Sequence, residues 1–162
     1  MHEICLWLEA SAVGTLVRES LYGFPILVGM HLMSLMLSAG MIVWFDLRLL
    51  GLALTGLPVS AVYRRVLPWA TAGFMLMFVT GALLFTGYAS AAVGNTFFRL
   101  KCAALALAGV NALAYHLITE RRLTDWDSAA RLPASARMAG ALSVALWATV
   151  IMCGRLMAYT MY

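Results

Sequence analysis

The chain has 162 residues, of which 64% are apolar and only 11% charged, and its mean hydropathy is +0.90. Soluble domains are roughly one-quarter charged, so this composition excludes an ordinary soluble enzyme and indicates an integral membrane protein. The net charge of +4 comes from scattered arginines. With no basic run or aromatic–basic platform, nucleic acid is excluded as a partner and the lipid bilayer is the expected one.

The first twenty residues, MHEICLWLEASAVGTLVRES, set Glu3, Glu9, Arg18 and Glu19 among Ile4, Leu6, Trp7 and Leu8. They lack the basic start and smooth apolar core of a signal peptide, and are expected to form one short interfacial helix. Leu21 to Phe45 then runs for 25 residues with no formal charge, His31 being its one ionisable group. A hydrocarbon core of ~30 Å needs ~20 apolar residues of helix, so this run is long enough to span. Three more apolar segments follow, at about 66–88, 98–118 and 138–159. Arg99 and Lys101 open the third, where they can snorkel toward headgroups. The expectation is a single all-α domain, a four-helix transmembrane bundle preceded by the interfacial helix.

Small residues spaced for close helix approach occur at Ser34 and Ser38 and at Ala104, Ala108 and Ala112. Tyr22, Trp69, Tyr88, Trp126 and Tyr159 suit an aromatic belt, while Trp147 falls too deep for one. Seven arginines (48, 64, 65, 121, 122, 131 and 137) lie toward the first and third connections, against four basic residues (Arg18, Arg99, Lys101 and Arg155) toward the other side. By the positive-inside rule, both termini of this multi-pass chain are expected to be periplasmic in a bacterial inner membrane.

An ionisable residue inside a span needs a partner or a function. Neutral His31 offers an imidazole nitrogen to haem iron, with Gly29, Ser34 and Gly40 leaving room beside it; its simplest alternative role is a hydrogen bond to a neighbouring helix. His116 is the other histidine within a span. Counting 1.5 Å per residue from each span's middle, the two lie roughly 12 Å apart along the membrane normal, a strained pairing. Arg155 sits inside the fourth helix. With Arg18, Arg99 and Lys101 around the single acid Glu19, it suggests an anion pocket for haem propionates, a quinone headgroup or lipid phosphate. The plainer reading is a Glu19–Arg155 tie. Asp46, Arg48, Asn111, His116 and Glu120 fall near the other face, where they suit proton uptake near a quinone site or ordinary helix-end pairing. Met30, Met33 and Met36, with Cys153 near Met152 and Met157, raise copper handling, although a three-residue step drifts around a helix. No P-loop, dinucleotide fingerprint or serine–histidine–acid set is present.

The string HLMSLMLSAGMIVWFDLRLLG (His31 to Gly51), followed by TGALLF, NTFFRLK, NALAYH and GRLMAY, resembles an uncharacterised family of bacterial four-helix membrane proteins over nearly the whole chain from Leu21. More loosely, the layout is similar to small b-type cytochromes and copper-resistance membrane proteins, a likeness that implies His31 and His116 as haem ligands. The leading expectation is a membrane redox subunit, not a stand-alone enzyme. It would bind haem b, with Arg155, Arg99 and Lys101 on the propionates, and pass electrons between quinone or a periplasmic donor and a larger complex. The alternative is a cofactor-free accessory subunit of such a complex.

Overall fold

A computed structural model describes residues 2–119, 126–127 and 132–160. Glu120, Arg121, Arg122 and Arg131, named above, lie outside the described residues. The elements are α1 (His2–Ala10), α2 (Ala12–Glu19), α3 (Gly23–Leu50), α4 (Val59–Gly87), α5 (Ala89–Gly94), α6 (Thr96–Thr119) and α7 (Ala134–Thr160). Four of them, α3, α4, α6 and α7, are long and apolar enough to cross a membrane. The chain is therefore all-α and multi-pass, as its hydropathy requires.

The spanning helices outrun the apolar segments. Helix α3 has 28 residues and α4 has 29, about 42 Å of helix for a hydrocarbon core of ~30 Å. The excess gathers at what we call the loop end, where α3 continues through Asp46 and Arg48 and α4 begins before Arg64 and Arg65. Gly51, at φ 75°, closes α3 in the left-handed conformation, its N–H bonding the Arg48 carbonyl at 3.1 Å. Pro58 stands at the start of α4, where a missing N–H costs nothing.

Close packing runs in the order α4, α3, α7, α6. A Cβ on Gly73 would lie 2.7 Å from the Ser38 nitrogen and 3.0 Å from the Ser34 carbonyl, so this glycine lets α4 press onto the small-residue face of α3. At Gly140, α7 comes similarly near the Asp46 carbonyl and Leu49. Ala104 is buried with Trp147 and Val150 of α7 and Ala108 is buried too, whereas Ala112 is exposed. Helices α4 and α6 are joined differently, by side chains at two levels. Phe85 stacks on Phe98 at 5.6 Å near the terminal end, and Tyr63 meets His116 and Tyr115 at the loop end. Tyr22, Trp69 and Tyr159 are exposed as belt residues should be, and Trp147 is core.

The N-terminal segment departs from expectation in two ways. It forms two helices, because Ser11 takes an extended conformation, donates to the Leu8 carbonyl at 2.6 Å and caps α2 through the Gly14 N–H at 3.1 Å. It is also docked onto the bundle. The Glu9 carboxylate accepts from the Ser90 amide at 2.7 Å and hydroxyl at 2.6 Å, while Gly14 sits against the Thr86 carbonyl. The connection after α4 likewise holds a helix, α5, and Asn95 then caps α6 by accepting from the Phe97 and Phe98 amides.

Candidate functional site

Polar groups inside this bundle fall into two clusters, both built on the buried face of α3. Toward the terminal end stands His31, half-buried, with its Nδ1 lying 3.1 Å from the Met77 carbonyl and 3.1 Å from Thr80 Oγ1 on α4. A carbonyl can only accept, so Nδ1 carries the proton and Nε2 keeps its lone pair. Thr80 is fixed in turn by donating to the Leu76 carbonyl at 2.7 Å. The ring fits because residue 81 is glycine: a Cβ there would come within 3.0 Å of His31 Cε1. Among the described residues, Nε2 has no hydrogen-bond partner. Lys101, half-buried on α6, acts on the imidazole electrostatically, and its Nζ lies beside Gly154 of α7.

Only Lys101 of the expected anion pocket turns inward. Arg99 is exposed and donates from Nε to the Val93 carbonyl at 2.9 Å. Arg155 is exposed too, bonding the Tyr159 hydroxyl at 3.1 Å with its guanidinium 5.0 Å over the same ring. The Glu19–Arg155 tie does not form, since Glu19 approaches its own neighbour Arg18 at 3.9 Å. Ser34 lines no cavity but packs against Gly73, its hydroxyl donating to the Met30 and His31 carbonyls. Gly29 and Gly40 are exposed notches on the outer surface of α3. Met30, Met33 and Met36 face outward as well, at 45%, 68% and 69% exposed, so they do not converge on a metal. Cys153 is buried beside an outward-facing Met152, and the described residues hold no group of three histidine, cysteine or acidic ligands.

The second cluster lies at the loop end. His116 Nδ1 bonds the Tyr63 hydroxyl at 2.9 Å, and Phe45, Tyr63, Tyr115 and Trp126 pack together with ring centroids 5.4–6.3 Å apart. Asp46 is 3% exposed among them, with Ser143 of α7 close beside its carboxyl. Ordinary helix-end pairing is not what holds it. Arg48 turns away to the Leu57 carbonyl at 2.9 Å, and Asn111 donates to the Ala139 carbonyl at 3.1 Å.

The structure therefore keeps the two histidines apart. Asp46 follows His31 by fifteen residues on one helix, about 22 Å along its axis, and His116 sits at the Asp46 end. This exceeds the ~12 Å expected from sequence depth. Reading along the chain did not find Met77, Thr80 and Gly81, the groups that orient His31. Thr80 and Gly81 open the TGALLF string, but a backbone carbonyl such as Met77's has no sequence signature.

No curated protein and no solved structure matches the chain. A family model does match, over residues 4–160, nearly the whole length and so both polar clusters. The chain belongs to a family of unknown function, DUF6644.

Proposed function

We propose that the chain is a small membrane redox subunit in which His31 Nε2 would hold the iron of a b-type haem. The observation that carries this reading is the one-sided hydrogen bonding of the imidazole. Nδ1–H is held by a backbone carbonyl, the usual second partner of a metal-ligating histidine, and this leaves a neutral nitrogen inside the bundle. Thr80 and Gly81 fix the ring plane and clear its edge. Lys101 is the cation positioned for a propionate, with Arg99 and Arg155 nearer the surface. The haem would supply one-electron storage.

The donor would be a quinone or a periplasmic protein, and the acceptor a larger membrane or periplasmic complex. Arg48, Arg64, Arg65 and Arg137 all stand at the loop end, which favours a cytoplasmic loop end and periplasmic termini in a bacterial inner membrane.

The test is a dithionite-reduced minus oxidised absorbance spectrum of detergent-purified protein from haem-replete cells. The expected result is a b-type signal that His31→Ala abolishes and His116→Ala preserves. Loss in both variants would overturn the one-histidine site. No signal in the wild type would overturn the redox reading and leave a cofactor-free packing subunit of a larger complex.

A further inference from the structure

One turn inside the loop end of α3, the Asp46 carboxyl is almost wholly removed from solvent. Among the described residues, neither its Oδ2 nor the buried Tyr115 hydroxyl nearby has a hydrogen-bond partner. Native interiors rarely leave such atoms unsatisfied, and those that remain call for a chemical reason. A buried carboxylate with no counter-charge is costly, a cost that the uncharged acid avoids.

The surrounding groups come from all four spanning helices. From α6, the Tyr115 ring packs 5.6 Å from Phe45 and 6.3 Å from Tyr63. From α4, the Tyr63 hydroxyl bonds His116 at 2.9 Å. Helix α7 brings the neutral Ser143 to the carboxyl and keeps Arg137 exposed, while Arg48 on α3 itself is engaged by the Leu57 carbonyl. An acid, two phenols and an imidazole thus gather at one end of a membrane bundle. Intramembrane acids and histidines commonly mark proton pathways.

We propose that Asp46 is a proton-accepting site at the loop end of the bundle. A proton taken up from the loop end adds to the Asp46 carboxylate and leaves the neutral acid beside Ser143. The net change is one proton taken up and one carboxylate neutralised. The site does not depend on iron at His31.

The experiment is infrared difference spectroscopy of the full chain in lipid nanodiscs, stepped between alkaline and acid buffer in H2O and in D2O. The expected result is a carboxylic-acid C=O band that appears on acidification, shifts in D2O and is missing from Asp46→Asn. Should Asp46→Asn fail to purify as a monodisperse species, Ser143→Ala reads the same site, because removing the hydroxyl beside the carboxyl must move the band. Absence of any such band in the wild type, or a band that never exchanges, would overturn the site.

Discussion

Gly73 offers a measurement in which one atom reports on the packing of α3 against α4. An added Cβ would lie 2.7 Å from the Ser38 nitrogen and 3.0 Å from the Ser34 carbonyl oxygen. Both are backbone atoms of a rigid helix, so relief requires moving α4 as a body. Overpacking of this kind costs about 1–3 kcal/mol. Gly→Ala in a helix also gains up to about 1 kcal/mol of helix propensity, which would hide part of the effect. Gly29 supplies the control, since a Cβ there meets nothing within 4 Å. The propensity gain is common to both substitutions, so Gly73→Ala should fall below Gly29→Ala by the overpacking cost alone, about 1–3 kcal/mol. That is roughly a 5- to 150-fold difference in the folding equilibrium. Reversible unfolding in mixed micelles, followed by circular dichroism, measures both variants on one scale. Equal stabilities would refute the close approach at Gly73.

Other outcomes follow from the same geometry. Gly81→Ala puts a Cβ 3.0 Å from His31 Cε1 and should displace the ring from Met77, weakening or shifting the difference spectrum while the overall helix content stays constant. Glu9 is held below its ordinary carboxyl value of 4.5, first by the Ser90 hydroxyl and next by the Ser90 amide. Because its folded value is the lower one, its contribution is fully present above 4.5 and fades as pH falls below that value and through the folded one. Hydrogen exchange of residues 2–19 should therefore rise on acidification, and Glu9→Gln should show the faster exchange already at neutral pH. At the other end, the Ser60 hydroxyl and amide both donate to the Asp127 carboxylate and lower its titration. Ser60→Ala should loosen that attachment, and quenching of Trp126 fluorescence by a soluble quencher should increase.

The four spans were legible because a lipid-facing helix must be apolar along its length, and hydropathy reads length directly. Their ends were less so. A charge inside an apolar run looks like the membrane boundary, and Asp46 was therefore expected at the end of a helix. The helix continues past it to Leu50, and Tyr63 and Tyr115, which help enclose the carboxyl, lie 17 and 69 residues downstream on other helices. Which way the methionines of α3 turn was not legible either; Met30, Met33 and Met36 are all exposed, away from the packed face of the helix. For His31 the residue was legible but the orientation of its ring was not, because that depends on partners 46 and 49 residues away. Arg155 and Tyr159 were readable as an i, i+4 pair on one helix, a local contact that a search for an acid partner passes over.

The docked N-terminal helices carry a consequence for biosynthesis. The Glu9 carboxylate binds Ser90, 81 residues later in the chain, and Gly14 rests on Thr86. Residues 2–19 leave the ribosome long before their binding surface exists. Helix α3 is therefore made with residues 2–19 not yet docked. Only after α4 and α5 have formed can α1 and α2 close onto the bundle. The contact between residues 9 and 90 joins segments synthesised far apart in time.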